Sequence, residues 1–180
     1  LIPQTVFGRQ AICGGIAYRV LCVSRHAGLP LASLVALPAA LDMVTDQGHL
    51  CSVCGIVTEA SAGDSDGGLA SYQLDFTDVF SIMEKRINTR VFRRQSDIEI
   101  VQLLLDEWIR SNSILAHAFQ YAYAAFFEAE SYPQREFVMQ HNESDAAFVR
   151  RLLARSGVGW FFRAGDPGPA HAPAVPSHTL

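Results

Sequence analysis

Between residues 40 and 77 the sequence alternates apolar and polar residues in short runs separated by turn-forming clusters, and this pattern constrains the fold more than any other feature. A repeat of two residues is typical of a half-buried antiparallel strand, because successive side chains of a strand point to opposite faces. The clusters at Asp46-Gln-Gly48 and at residues 62–68 contain Gly and Asp, which favour turns. The sequence therefore predicts three antiparallel strands, at residues 40–45, 51–58 and 71–77.

Two helices are predicted from capping signals. The segment Ser96-Asp-Ile-Glu99 matches a capping box, and it opens an amphipathic stretch that runs to about Ser111. A second helix follows an N-cap at Asn142 or Ser144 and is expected to end at Gly157, since glycine readily adopts the left-handed conformation of a helix C-terminus.

Strands are predicted on both sides of the second helix, at residues 132–141 and 158–162, and a short helix is predicted at residues 78–87. The fold class that these elements indicate is α+β, mostly antiparallel β. A length of 180 residues fits one domain or parts of two.

The charge balance excludes several classes of partner. The net charge is −4, so no basic excess favours a nucleic acid. The longest weakly charged apolar stretch, residues 27–41, contains two prolines and is too short for a membrane span, and no signal peptide is recognisable. The first 50 residues carry only five charges.

Arginines are concentrated in residues 86–94, where the pattern does not define a strand. Acidic residues lie close by, at Glu84 and Asp97, so a nucleic-acid patch is disfavoured. Because arginine suits bidentate contacts with carboxylates, we interpret the segment as an interface or as a source of ion pairs between elements. The aromatic stretch at 114–132 lacks interleaved basic residues and is interpreted as core packing.

Cys51 and Cys54 form a C-x-x-C motif, which can be half of a zinc site or a redox pair. No second ligand pair follows at the spacing that zinc sites use. On a strand the two side chains would point to opposite faces, so buried or partly buried thiols are the favoured interpretation.

The segment from Gln140 to Leu153, followed by Gly157-Val-Gly-Trp-Phe-Phe162, resembles a motif of the VgrG family, which forms the spike of type VI secretion systems. Four upstream segments resemble the same family in the same order, and the resemblance covers about residues 40–163; His141 stands where the family usually has Tyr. The residues that carry the resemblance, for which it implies structural roles, are Gly55, Gly67, Gly68, Tyr72, Arg86, Asn88, Arg90, Arg135, Glu136, Gln140, Asn142, Glu143, Ser144, Asp145, Phe148, Arg151, Leu152 and Gly157.

The resemblance implies incomplete phage tail-hub-like β-barrels with short capped helices between them, and a structural, non-enzymatic part without cofactor or metal. Family members form homotrimers, cap a tube of Hcp protein and carry effectors or a PAAR tip. They are assembled in the bacterial cytoplasm and then secreted or injected into target cells. Three alternatives stay open: a hub protein of a contractile phage baseplate, a truncated remnant without function, and, as the third, a thiol or metal enzyme that uses Cys51 and Cys54.

The resemblance also implies a division of the chain. Residues 1–37 do not resemble the family and are interpreted as a replaced or frameshifted start. Residues 38–95 would belong to a first hub barrel, 96–131 to a helical connector, and 132–163 to the opening of a second barrel. Residues 164–180 form a Pro- and Gly-rich loop, and both ends look cut, so the isolated chain is expected to be poorly soluble or to associate.

Overall fold

A computed structural model of the chain describes residues 1–65, 67–165 and 177–180. The fold is mostly antiparallel β with a few short helices, which confirms the predicted class. The strands of the described residues are β1 (Ile2–Ala11), β2 (Gly15–Ser24), β3 (Pro38–Val44), β4 (Leu50–Ser65), β5 (Ala70–Thr77), β6 (Ile87–Phe92), β7 (Phe119–Gln120), β8 (Val138–Ser144), β9 (Arg163–Ala164) and β10 (His178–Thr179). The helices are α1 (Leu31–Leu34), α2 (Val79–Met83), α3 (Asp97–Ser111), α4 (Leu115–Ala118) and α5 (Asp145–Arg155), with a 3-10 turn at Ala129–Ser131.

The largest element is a five-stranded sheet in the order β1-β2-β5-β4-β3, in which all neighbours are antiparallel. The three strands predicted between residues 40 and 77 are its β3, β4 and β5. Strand β4 continues beyond the predicted end to Ser65, and Asp66 of the predicted turn lies outside the described residues.

The β1–β2 hairpin at the N-terminus is an element that the sequence did not predict. Every residue of β1 is exposed, so no buried face imposes an alternation of apolar and polar residues on it. The turn between the strands places Cys13 at φ 56° and Gly15 at φ 78°, in the left-handed region. Residues 1–37 therefore contain regular structure, although their sequence shows no clear period.

A second, smaller sheet joins β6 to β8 in antiparallel register. The sequence did not resolve β6, and it placed the start of β8 six residues too early, at residue 132. The pairing contains a bulge, because the step from Asn88 to Arg90 on β6 faces the longer step from Glu143 to Gln140 on β8; the additional residue lies on β8, and β6 keeps its alternation. Helix α2 is also shorter than predicted, because the chain turns into β6 at Ile87.

Helices α3 and α5 confirm the capping predictions. Ser96 and Glu99 form both hydrogen bonds of the capping box, and the Ser144 hydroxyl accepts from the amide of Ala147 at 3.1 Å. At the end of α5, Gly157 has φ 68°, and the amide of Val158 donates to a carbonyl in the last turn. This is a Schellman arrangement, which satisfies carbonyls that the helix leaves free.

Two predicted elements are wrong. Residues 158–162 are extended but form no strand ladder within the described residues; the hairpin turn contacts them instead, through Cys13 N donating to Trp160 O at 2.8 Å. Residues 119–131 are not helical apart from the 3-10 turn, and Phe126 is 88% exposed, so the aromatic stretch is only partly in the core.

One hydrophobic core connects the five-stranded sheet with the helices, and no described helix is long and apolar enough to span a membrane. Phe80 of α2 lies at its centre and makes edge-to-face contacts with Trp160 and Phe162. Strand β10 closes this region, pairing with β7 and β9 and packing against β4. Residues 166–176 of the predicted Pro- and Gly-rich loop lie outside the described residues.

His178 of β10 is buried and connects this strand to the start of α2. Its Nε2 accepts a hydrogen bond from the amide of Val79 at 3.0 Å, which requires an unprotonated nitrogen. Burial lowers the pKa of His178 to about 4, although the nearby backbone of Ala118 opposes the shift.

We expect the free energy of unfolding to fall as the pH drops from 7 to 4, because His178 of the unfolded chain then binds a proton that the folded chain excludes. The loss is at most about 3 kcal/mol. Urea unfolding at several pH values should show that His178→Gln removes this slope. The matched variant His141→Gln, at an exposed position, should keep it, and an unchanged slope in His178→Gln would contradict the assignment.

Candidate functional site

The side chain of Asp145, the first residue of α5, is buried and accepts hydrogen bonds from five side chains. Oδ1 accepts from Asn88 Nδ2 at 3.0 Å, Arg90 Nη2 at 2.7 Å and Gln140 Nε2 at 2.8 Å. Oδ2 accepts from two further donors: Arg86 Nε at 2.6 Å and Trp108 Nε1 at 2.9 Å. We call these six residues the Asp145 cluster.

The secondary structure explains why these donors meet. Arg86, Asn88 and Arg90 are spaced two residues apart at the start of β6 and along it, which places their side chains on one face. Gln140 lies opposite Arg90 on β8. Trp108 belongs to the buried face of α3, which packs against α5.

The charge of Asp145 is strongly stabilised. Burial alone would raise the pKa of this carboxyl, but the hydrogen bonds from Asn88, Gln140, Arg86 and Trp108 outweigh it and hold the pKa at about 2. Burial would lower the pKa of Arg90, but the hydrogen bonds that its guanidinium donates to Asp145 and Glu107 keep the pKa above the usual value.

Glu107 of α3 contacts the two arginines from the solvent side. Arg86 Nη1 lies 2.8 Å from Glu107 Oε1, and Arg90 Nη1 lies 2.7 Å from Oε2. The Arg86 guanidinium also lies over the ring of Trp108, with its central carbon 4.3 Å from the ring centroid. Two arginines thus face two carboxylates, and these contacts connect α3, β6 and α5.

Asp97 forms a second buried cluster at the start of α3. Its carboxylate accepts from Arg135 Nε at 3.0 Å, from Arg155 Nε at 2.9 Å and from Ser156 Oγ at 3.0 Å. Burial would raise the pKa of Asp97, but the hydrogen bonds from Arg155, Arg135 and Ser156 lower it. The Asp97 cluster joins the N-terminus of α3 to the C-terminus of α5.

The residues predicted from the family resemblance divide into groups in the structure. Arg86, Asn88, Arg90, Gln140 and Asp145 come together in the Asp145 cluster. Others of the predicted set lie in α5 or next to its ends: Asn142, Glu143, Ser144, Phe148, Arg151, Leu152 and Gly157.

The contacts of these residues join α5 to β8, to β6 and to the hydrophobic core. Arg151 pairs with Glu143 and donates to the Met139 carbonyl at 2.9 Å, which fastens α5 to β8. Phe148 and Leu152 are buried in the core. Asn142 adopts φ 47°, and its amide donates to Thr89 Oγ1 at 3.1 Å.

The remaining predicted residues lie apart from the Asp145 cluster. Arg135 belongs to the Asp97 cluster, and Glu136 is exposed at 3.9 Å from Arg94. Gly67, at φ 87°, and Gly68 lie between β4 and β5.

Gly55 and Tyr72 belong to the large sheet. A Cβ on Gly55 would lie 2.6 Å from the carbonyl oxygen of Thr77, so the close approach of β4 to β5 requires glycine there. The hydroxyl of Tyr72 donates to the His26 carbonyl at 2.8 Å and accepts from the Leu29 amide at 3.2 Å.

Sequence reasoning missed Glu107, Trp108, Asp97, Arg155 and Ser156 as members of the two clusters. Trp108 lies in the amphipathic stretch that was predicted as α3, and a buried indole N–H usually needs an acceptor. That requirement was the one signal in the sequence for a hydrogen-bond acceptor near Trp108. The two thiols of the C-x-x-C pair lie in different environments, since Cys51 is exposed and Cys54 is buried.

The contacts of the Asp145 cluster fix the positions of the elements that supply the donors. An ionised carboxylate has about four acceptor positions, and five donors saturate them. A pKa of about 2 keeps the group charged at neutral pH, so it holds β6, β8 and α3 against α5 instead of exchanging protons.

Replacing Asp145 by Asn should lower the free energy of unfolding by about 3–5 kcal/mol, because two arginines and three other donors lose a buried, charged acceptor. Urea unfolding measures this loss. The matched variant Asp75→Asn breaks the ion pair with the half-exposed Arg19, in which Arg19 Nη2 lies 2.6 Å from Asp75 Oδ2. This variant should lower the free energy of unfolding by less than about 1 kcal/mol. Equal losses in the two variants would contradict a special role for Asp145.

Comparison with known proteins identifies the family. A family model described as phage tail baseplate hub (GPD) matches residues 9–180, including most of the segment in which the sequence showed no resemblance. The type VI secretion system spike protein VgrG4b of Pseudomonas aeruginosa is 34% identical over 156 residues, which are 87% of this chain and 18% of that protein. The actin cross-linking toxin VgrG1 of Vibrio cholerae is 32% identical over 161 residues, 89% of this chain and 14% of that protein.

Solved structures share the fold. The Escherichia coli c3393 protein, described as a type VI secretion component similar to the bacteriophage T4 tail proteins gp27 and gp5, superposes with a TM-score of 0.72 at 22% identity, over 99% of this chain and 45% of that one. A VgrG complex with PdpA from Francisella gives a TM-score of 0.59 at 12% identity, over 99% of this chain and 26% of that one.

The chain spans less than a quarter of the length of the curated relatives that it matches, from 14% to 24%. The match to the family model covers most of the chain, and the fold agrees with it. The chain therefore belongs to the phage tail baseplate hub (GPD) family and is a VgrG-like hub domain.

Proposed function

We propose that this chain is a structural part of a type VI secretion spike, which trimerises, docks on a tube of Hcp protein and so helps to deliver effectors. The observation that carries the proposal is the family match over residues 9–180, together with similarity to spike proteins of Pseudomonas and Vibrio over most of the chain. An effector or a PAAR tip would be carried by other parts of the full-length spike.

The clusters of the structure support a mechanical role. The Asp145 and Asp97 clusters brace α3 against α5 at two places, and the buried face of the helices is otherwise apolar. A part that transmits force along a secretion tube needs such fixed geometry. The same arrangement offers no group poised for catalysis in these clusters, so the proposed role is non-enzymatic and needs no cofactor.

The family also supports a second function, that of a hub in a contractile phage baseplate. The matching model is described as a phage tail baseplate hub, and a 43 kDa tail protein of prophage MuSo2 from Shewanella oneidensis superposes with a TM-score of 0.56 at 10% identity. The two functions differ in the tube protein on which the hub sits. In the type VI case, assembly would occur in the bacterial cytoplasm, followed by secretion into a target cell.

A pull-down on immobilised tube rings tests the proposal. We expect Hcp rings to retain the chain, with about three copies per hexameric ring, because two barrels from each of three copies would match sixfold symmetry. The tail-tube protein of a contractile phage serves as the matched alternative. Preferential retention by the phage tube protein would favour the second function, and retention by neither ring would contradict both.

A further inference from the structure

An apolar groove of about 590 Å³ opens beside Leu180, the residue that follows β10. One wall is the segment 121–124, which follows β7, and the other is the segment 157–161, which precedes β9. Leu105 of α3 and Leu153 of α5 also line it. A contiguous apolar surface of this kind marks a place that another segment or partner covers.

The two walls of the groove continue the outer strands of the three-stranded sheet. The strand order is β7-β10-β9, so β10 has a neighbour on each side. The amide of Leu180 donates to the carbonyl of Gln120 at 3.0 Å, and its carbonyl accepts from the amide of Ala122 at 3.0 Å. A strand that continued β10 beyond Leu180 would therefore enter the groove between the two walls.

The extended segment 158–162 uses its backbone groups on one side only. The carbonyl oxygens of Trp160 and Phe162 accept hydrogen bonds from the β1–β2 hairpin, at 2.8 Å and 2.6 Å. Successive residues of an extended chain direct their N–H and C=O groups to opposite sides. The groups of Gly159 and Phe161 therefore point away from the hairpin, and no residue in the described part of the chain bonds to them.

This open side is the side on which β10 lies. Further along the same chain, the amide of Gly165 donates to the carbonyl of Ser177 at 2.7 Å, toward β10. Phe161 and Gly159 lie an even number of residues before Gly165, so their backbone groups point to the same side. Continued in register, the β9–β10 ladder places the first residue after Leu180 opposite Phe161 and the third opposite Gly159.

The other wall offers matching groups. Continued in its parallel register, the β7–β10 ladder places the second residue after Leu180 opposite Tyr123. That residue would donate to the carbonyl of Ala122 and accept from the amide of Ala124, and neither group bonds to a residue that the structure describes. One strand could therefore satisfy the backbone groups of both walls.

We propose that the segment following Leu180 in the full-length spike continues β10 into this groove and pairs with both walls. The inference rests on the proposed function, in which this chain is one part of a longer spike; it covers 14% to 24% of the length of its curated relatives. The pairing would also explain why residues 158–162 are extended without a ladder among the described residues.

The register also sets the character of the added side chains. The second residue after Leu180 would lie opposite Trp160, on the face of the sheet that carries the buried His178, so it should be apolar. The first and third residues would lie on the face of Phe161, which is 56% exposed, and can be polar. We therefore expect a polar–apolar–polar order in the segment.

Aromatic contacts hold the walls of the groove in place. The ring of Tyr123 stacks on Phe127 with the centroids 4.8 Å apart, and Phe127 stacks on Tyr132 at 5.4 Å. On the opposite wall, Trp160 packs edge to face against Phe80, with the centroids 5.0 Å apart. Because the walls are fixed in advance, a strand that enters the groove loses mainly its own conformational freedom.

Extending the 180-residue chain tests the inference. One variant adds Thr-Val-Thr after Leu180, which places valine at the second position, and a reference variant adds Gly-Ser-Gly, which disfavours a strand. Hydrogen exchange followed by NMR measures the rate at each amide. With Thr-Val-Thr, the amides of Gly159, Phe161 and Ala124 should exchange about tenfold more slowly than with Gly-Ser-Gly, because each gains a hydrogen bond.

Two matched controls accompany this comparison. The amide of Trp160 points toward the hairpin, so its exchange rate should change by less than about threefold. The extension Val-Thr-Thr has the same composition but places threonine at the second position, and it should protect the three amides less. Circular dichroism melting checks that every variant is folded. If Thr-Val-Thr unfolds the chain, the shorter extension Thr-Val should still protect Phe161 and Ala124.

The outcomes separate this inference from the proposed function. Unchanged exchange at the three amides would overturn the strand, and equal protection by Thr-Val-Thr and Val-Thr-Thr would overturn its register. Protection in the unextended chain that grows with concentration would assign the groove to a second copy and overturn the inference too. Retention by Hcp rings is measured separately: retention without protection overturns only this inference, whereas protection without retention supports it and contradicts the spike function.

Discussion

The buried carboxylate of Asp145 is the interaction on which the arrangement of the smaller sheet and the helices depends. Its donors come from β6 and the residue before it, from α3 and from β8, and the acceptor itself begins α5. A charge removed from water is costly unless hydrogen bonds replace the lost solvent, and here five donors do so. Every element that supplies a donor is therefore held in one position relative to α5.

The five-stranded sheet is attached to this region by apolar contacts and by β10. Phe80 of α2 packs against Trp160 and Phe162, and His178 of β10 accepts a hydrogen bond from the first residue of α2. Because these contacts converge on one short helix, the sheet is positioned at α2, while β1 is exposed along its whole length and β3 buries Leu41. The molecule combines a braced interior with two open sheet edges.

The sequence predicted those elements whose patterns are local, and it failed where the determinants are distant in the chain. The capping box at Ser96 and the glycine at 157 act within one turn of their helix, and both were predicted correctly. The β1–β2 hairpin was missed because neither face of β1 is buried. The segment predicted as a strand at 158–162 is extended but joins no ladder of the described residues. Its contacts come from the distant N-terminal hairpin, through Cys13 and Gln10, and the local sequence does not show them.

The candidate site shows the same division. The arginines at 86 and 90 were interpreted as ion-pair partners for other elements, and the structure confirms contacts with Asp145 and Glu107. The family resemblance grouped five of the six members of the Asp145 cluster without revealing that they touch. Trp108 was not predicted as a member of the cluster, because its apolar ring already explains a buried position in α3. Only its indole N–H, which donates to Asp145, indicates a polar partner.

The contrast between the interior and the sheet edges bears on how such a domain assembles. Buried carboxylates with many donors resist rearrangement, because removing one partner leaves a buried charge or its donors unpaired. A single exposed charge on an edge strand has the opposite character: it discourages wrong partners at little energetic cost and contributes weakly to the correct one. The interior of this domain is therefore fixed by contacts within the chain, and the charged residues of its edge strands, Arg9 and Asp42, lie outside those contacts.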